Sequence, residues 1–270
     1  MRLRLDKFLA HKAFGTRKEV HSLIKQGLVT VNGTTARKKD VSIDTDKDVV
    51  AVKNEPVSMQ MVYYVAFNKP AGYICAVHDT KQPTVMELLP PEFTTLEVFP
   101  VGRLDKDTEG LLLLSNDGNW AHRIINGKKE IEKVYYVEYT GTLSEEGLDR
   151  IAAGMELGDG TKCKPAHLTL LGDGDEWRKI AGDGPCKIDG DELSRIEEED
   201  AHRAQPLEGS CNAAMITVTE GKYHQVKRMI GAAGGEVVYL KRLSVGPFDL
   251  SGIEETGQYA ILLPEDYEKL

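Results

Sequence analysis

Four consecutive leucines, Leu111–Leu114, stand between the charged loop Arg103–Glu109 and the sequence Asn116-Asp117-Gly118. A short unbroken apolar run bounded by turn-forming residues reads as a buried strand. Such a strand needs a sheet around it, and other short β runs supply one: Val62–Phe67, Lys133–Thr140, Ala166–Leu171, Ala214–Val218 and Glu236–Leu240. Helical patterns fall between some of them, over 118–125, 144–153 and 224–233. Strands joined mostly by loops and hairpins, with few regular β-α-β units, predict an α+β fold built on a mixed, mainly antiparallel sheet flanked by helices and loops.

The first fifty residues follow a different plan. Leu5, Phe8 and Leu9 fall at helical spacing, with Arg4, Lys7 and Lys12 on other positions of the same short helix, and Phe14-Gly15 ends it. Thr16 followed by Glu19 is a capping-box pattern, Val20, Leu23 and Ile24 form an apolar stripe, and Gly27 suits a helix end, so a second helix spans about 17–26. Leu28–Val31 then runs into Asn32-Gly33, a type I′ hairpin signal, and Asp48–Val52 is a further strand. Ten basic side chains face three acidic ones in residues 1–40, a local charge of +7. Cations lie on helix 2 and just past the hairpin, and this order of elements resembles the S4-like RNA-binding domain over about residues 2–52. The resemblance implies phosphate contacts from Arg2, Lys7, Arg17, Lys18, Arg37 and Lys38. Residues 53–61, which lack a period and include Pro56, read as a linker, and 62–270 as the larger domain.

The whole chain of 270 residues carries a formal charge of -9, which on its face disfavours a nucleic-acid partner. Much of that excess is local. Between 173 and 208 twelve acids face five bases, a charge of -7, inside a stretch of 172–209 that is rich in Gly, Asp and Glu and reads as an inserted loop. Without it the balance is only -2. Cys75, Cys163, Cys186 and Cys211 form no CxxC pair and no clustered histidines accompany them, so neither a disulfide framework nor a metal site is expected. No apolar run approaches the roughly 20 residues of a membrane helix, and the N-terminus lacks a signal-peptide core, so a cytoplasmic protein is expected.

The chemistry concentrates in Val101–Gly118, where a loop dense in charge leads straight into the leucine strand. A loop pinned at the mouth of a buried strand is a place to hold a carboxylate rigidly, although by itself it reads equally well as an exposed surface loop. Three other segments bear on it: Asn68-Lys69-Pro70-Ala71-Gly72-Tyr73, Lys133-Val134-Tyr135-Tyr136-Val137, and Glu220-Gly221-Lys222-Tyr223-His224-Gln225-Val226-Lys227-Arg228-Met229. Together with Gly102-Arg103-Leu104-Asp105 and Gly110–Gly118 they resemble the RsuA-type family of RNA pseudouridine synthases, over almost the whole chain except the acidic insertion.

The resemblance implies an S4-like domain joined to a pseudouridine synthase domain, an isomerase needing no cofactor, and Asp105 as the catalytic aspartate. Lys227 would be its ion-pair partner, with Arg228 as the alternative, since a carboxylate in a partly dry pocket stays ionised only beside a cation. Tyr135 would face the uracil, and because alternate strand residues face opposite sides, Tyr136 would not. Arg103 would help hold the target nucleotide out of its helix; Lys69 and Arg228 are further expected RNA contacts, and Lys106, His122, Arg123 and His224 weaker ones. The phrases Pro83-Thr84-Val85, His122-Arg123-Ile124 and Glu132–Tyr135 point to the branch acting on 16S ribosomal RNA, with 23S rRNA the alternative. The expected partner is that rRNA or a small-subunit assembly intermediate, the expected state a monomer. Two other readings stay open: a non-catalytic S4-domain RNA-binding or ribosome-assembly protein, and a hydrolase pairing Asp105 with Asp107 or Asp117.

Overall fold

The computed structural model describes residues 2–126, 129–171 and 212–268. The acidic stretch 172–209 lies outside the described residues, as do Cys186 and Cys211. The N-terminal unit runs β1 (Arg2–Arg4), α1 (Leu5–His11), α2 (Arg17–Lys25), β2 (Val29–Val31), β3 (Thr34–Thr35), β4 (Ser42–Asp44), β5 (Val50–Val52) and β6 (Glu55–Val57). The capping box forms as expected: Glu19 N–H donates to Thr16 Oγ1 at 3.4 Å and Thr16 N–H to Glu19 Oε2 at 2.6 Å. Leu5, Phe8, Leu9, Val20 and Ile24 pack on Val29, Ile43 and Val50, all buried. Asn32 and Gly33 both take positive φ, 51° and 76°, and turn β2 into β3.

Two expectations change here. Arg4 is not a helical residue: it ends β1, pairs with Ser42 of β4, and folds its guanidinium onto Asp6 at 2.7 Å and 3.0 Å. The segment 53–61 opens with a strand, because β6 returns along β5 after Lys53 and Asn54 take positive φ. Pro56 is tolerated because β6 is an edge of the four-stranded sheet β3-β2-β5-β6, where a missing N–H breaks no ladder. Met61 packs against the cores of both units, and Lys12, just past α1, donates to the Tyr63 hydroxyl at 2.9 Å.

The larger unit contains β7 (Tyr64–Lys69), β8 (Phe99–Val101), β9 (Glu109–Ser115), β10 (Lys133–Gly141), β11 (Met155–Glu156), β12 (Lys162–Cys163), β13 (His167–Leu171), β14 (Asn212–Val218), β15 (Gly235–Val245) and β16 (Tyr259–Ile261). Its helices are α3 (Pro91–Thr95), α4 (Gly118–Ile125), α5 (Glu145–Ala153), α6 (Gln225–Ala233) and α7 (Pro264–Tyr267). The main sheet has the order β13-β14-β10-β15-β9-β7-β16, with β8 also on β9. Every pairing is antiparallel except β15 with β9, which meet in parallel at Lys241–Glu109 and Arg242–Gly110. The expected mixed, mainly antiparallel sheet is present.

The leucine run explains itself in this setting. Leu112 and Leu114 enter one core with Met229 and Ile230 of α6, while Leu111 and Leu113 enter the other with Trp120 and Ile124 of α4. A strand covered on both faces needs apolar residues at every position, not at alternate ones. Asn116-Asp117-Gly118 turns the chain into the helix expected over 118–125, and Asp117 caps it, accepting from the N–H groups of Asn119 at 2.9 Å and Trp120 at 3.2 Å.

Candidate active site

The loop between β8 and β9 is fastened from beneath. Lys69, at the end of β7, is fully buried and donates from Nζ to the carbonyls of Pro70 at 3.0 Å, Lys106 at 3.1 Å and Thr108 at 2.7 Å. Gly72 N–H adds a bond to Lys106 O at 2.8 Å, and Leu104 N–H donates to Cys75 Sγ at 3.3 Å. The loop closes on itself through Thr108 N–H to Asp105 O at 3.1 Å. Lys69 was expected to touch RNA; with no exposed surface it instead organises the loop, satisfying carbonyls that would otherwise be orphaned. Burial pulls its pKa below the usual lysine value, against the opposing pull of Cys75 and of the carboxylates Glu109, Asp107 and Asp105.

Past the loop, Gly110 has φ +96° and lies so close to β15 that an added Cβ would stand 2.2 Å from Arg242 O. Only glycine permits this approach, and it brings Arg242 under the site. Arg242 is buried and donates from Nε to Leu111 O at 2.7 Å and from Nη1 to the Tyr135 hydroxyl at 3.5 Å. Tyr135 lies on the cleft side of β10, while Tyr136 turns to the opposite face and donates to Glu138 Oε1 at 2.9 Å. Lys133, two residues before Tyr135 on the same face, also lines the cleft; burial and then the charge of Arg242 push its pKa down to about 8.

The third wall is the turn 220–224 with the start of α6. Gln225, buried, accepts from Lys222 N–H at 3.0 Å and donates to Glu220 Oε1 at 3.0 Å, which in turn accepts from Lys164 N–H at 2.9 Å. This frame aims His224 Nε2 at Asp105 Oδ1, 3.3 Å away. Lys227 reaches Asp105 as expected but has a second partner. Its Nζ donates to both oxygens of Asp107 at 2.6 Å and stands 3.9 Å from Asp105 Oδ2, so it serves two carboxylates and holds Asp107 more tightly. Of the two carboxylates Asp107 is much the more exposed, 72% against 27% for Asp105. Burial would raise the Asp107 pKa, but the hydrogen bond and charge of Lys227 outweigh it and bring it below the ordinary range.

Arg228, the other expected partner and RNA contact, turns away from the cleft to pair with Asp159 and with Tyr223 O at 3.3 Å. Arg103 is exposed at the cleft mouth beside Lys106. Arg2, Lys7, Arg17, Lys18, Arg37 and Lys38 are all exposed on the N-terminal unit.

The cleft has a volume of about 660 Å³ and brings together Arg103, Asp105, Lys133, Tyr135, His224 and Arg242. Asp107 and Lys227 stand just outside it. Sequence reasoning left out Arg242 and gave Lys133 no role. The available signal was the pair Lys241-Arg242 directly after the apolar run Glu236–Leu240, since charges that extend a buried strand must have partners. Among the described residues no three His, Cys, Asp or Glu side chains converge as metal ligands. Nor is any helix there long and apolar enough to cross a membrane.

Comparison with known proteins gives a consistent result. Residues 63–232 match the family model for RNA pseudouridylate synthase, and residues 3–49 match the S4 domain. The chain is 38% identical to an uncharacterized RNA pseudouridine synthase of Bacillus subtilis, over 99% of this chain and 98% of that one. It is 31% identical to the ribosomal small subunit pseudouridine synthase A of Vibrio vulnificus, over 99% of each. A solved pseudouridylate synthase structure, 31% identical, covers 99% of both chains with a TM-score of 0.59.

Proposed function

Since the chain belongs to the RNA pseudouridylate synthase family, an isomerase family here joined to an S4 domain, we propose that it converts one uridine of 16S rRNA to pseudouridine with Asp105 as the reacting carboxylate. The observation that carries this reading is the separate fate of three aspartates. Asp105 alone lines the cleft; Asp107 is held by Lys227, and Asp117 caps α4 and accepts from the Tyr64 hydroxyl at 2.9 Å. That distribution favours a single working carboxylate over the paired acids of a hydrolase.

The reaction breaks the bond from uracil N1 to ribose C1′, turns the base, and forms the bond from C5 to C1′, with the proton lost from C5 balanced by one gained at N1. Atoms and oxidation state are conserved, so the chain's own residues suffice. An ionised Asp105 serves attack at C1′, attack at uracil C6, or removal of a ribose proton alike. His224 and Lys227 stand 3.3 Å and 3.9 Å from its carboxylate oxygens, Tyr135 offers its ring to the freed uracil, and Arg103 meets the strand at the mouth. The 16S assignment draws on relatives named as small-subunit enzymes, including those of Vibrio vulnificus and Pasteurella multocida. In this reading a monomer works in the cytoplasm on rRNA or a small-subunit assembly intermediate. Mapping pseudouridines in rRNA from a strain lacking the protein tests it: one 16S position reverts to uridine, whereas loss of a 23S position overturns the substrate.

Two further results are expected. If the six exposed S4 cations each meet a phosphate, a plot of log affinity against log salt has a slope of about -4; a flat response would remove that face from the interface. Lys133 is cationic below pH about 8 and neutral above it. The KM for RNA therefore rises as pH passes that point, and Lys133→Arg, which stays charged, abolishes the rise. An unchanged pH profile in the arginine variant would show that Lys133 does not meet the substrate.

A further inference from the structure

Tyr223 is 77% exposed, the most open of the large apolar side chains among the described residues, yet it is not loose. Its ring lies on the imidazole of His224 with centroids 3.8 Å apart and planes 17° from parallel. Its backbone is fixed on both sides: the carbonyl accepts from Arg228, and the flanking turn is closed by Gln225 N–H to Lys222 O at 3.1 Å. His224 beneath it takes the left-handed conformation, φ 48° and ψ 35°, at the N-cap of α6, a region that histidine enters more readily than most residues. One face of the tyrosine is thus covered, and the exposed remainder is presented at the mouth of the cleft. Ile125, 55% exposed, and Arg103 line the same cleft.

With one face stacked on His224, the ring keeps its outer face open to a planar group brought to the cleft. The imidazole under it reaches Asp105 at 3.3 Å, which puts the stack one residue away from the reacting carboxylate. A uridine delivered to Asp105 and Tyr135 has left its own stack, and the neighbouring base in the strand has lost a stacking face at the cleft mouth. Aromatic side chains replace such faces regardless of base identity.

We propose that Tyr223, backed by His224, is the stacking platform for the unpaired nucleobase adjacent to the target uridine. This rests on the reading of the cleft as a uridine site. Tyr223 is then a positioning residue: it sets how the strand lies and does not touch the reacting atoms.

The test has two arms, both using the full chain. In the first, 16S and 23S transcripts carrying scattered 4-thiouridine are irradiated with the wild-type protein and the adducts mapped; the expected RNA-bearing peptide contains Tyr223. Adducts that avoid this peptide on both transcripts overturn the proposal, and because this arm needs no turnover it stands even if the 16S assignment fails. In the second, Tyr223→Ala raises KM at least about fivefold with kcat little changed, and Tyr223→Phe, which keeps the ring, restores it. A KM for Tyr223→Ala within about twofold of wild type, or a loss that phenylalanine does not restore, overturns it. Failure of the wild type to form pseudouridine in either transcript counts against the uridine-site reading instead.

Discussion

Asp105→Asn lowers pseudouridine formation by at least about a thousandfold. Asparagine has the size and shape of aspartate, and the loop's closing bond uses the backbone carbonyl of residue 105, so the fold around it is kept. What disappears is the negative charge facing His224 and Lys227, and with it the nucleophile or base. RNA affinity stays near the wild-type value because the S4 cations and Arg103 are untouched. Tritium release from RNA labelled at uridine C5 measures the step directly. Turnover close to that of wild type would remove Asp105 from the chemistry.

Lys69→Met destabilises the protein by about 2–4 kcal/mol and lowers kcat by roughly a hundredfold. Methionine fills much of the same volume but donates nothing, so the carbonyls of Pro70 and Thr108 lose their Lys69 bond and that of Lys106 retains only the bond from Gly72. The loop that holds Asp105 relaxes, and a misplacement of the order of 1 Å at a reacting group is enough for that loss of rate. A urea midpoint reports the stability and single-turnover kinetics the rate. Affinity for RNA is the discriminating measurement: a surface contact would lose binding, whereas a buried organiser leaves it intact. A variant with weaker binding and an unchanged melting curve would reverse the assignment made to Lys69.

The elements read correctly from sequence are those whose signals are local. Thr16 and Glu19 announce α2, the leucine run announces β9, and Asn32-Gly33 announces its hairpin. The pieces missed are those held by distant partners. β1 and β4 have three residues each and exist because they pair with one another, which no periodicity within three residues can show. The reading of β15 stops at Leu240 because Lys241 and Arg242 look like surface residues, although both are buried. Lys69 misleads for the same reason: an ammonium ion reads as solvent-facing until its three carbonyls are seen. Spacing along α6 brings Lys227 to the loop but does not tell Asp105 from Asp107, two residues apart, because both carboxylates lie within its reach.

The parallel contact between β9 and β15 joins segments that are made far apart in time. Domains fold in the order in which they leave the ribosome. The N-terminal sheet is complete once Val57 has been made, and the wall bearing Asp105 once Ser115 has joined β7, but Lys227 and Arg242 follow only after β10 to β14 have been made. A growing chain therefore gains its RNA-holding module first and its reactive cleft last. The order of synthesis thus places the S4 unit ahead of the strand and helix that close the cleft.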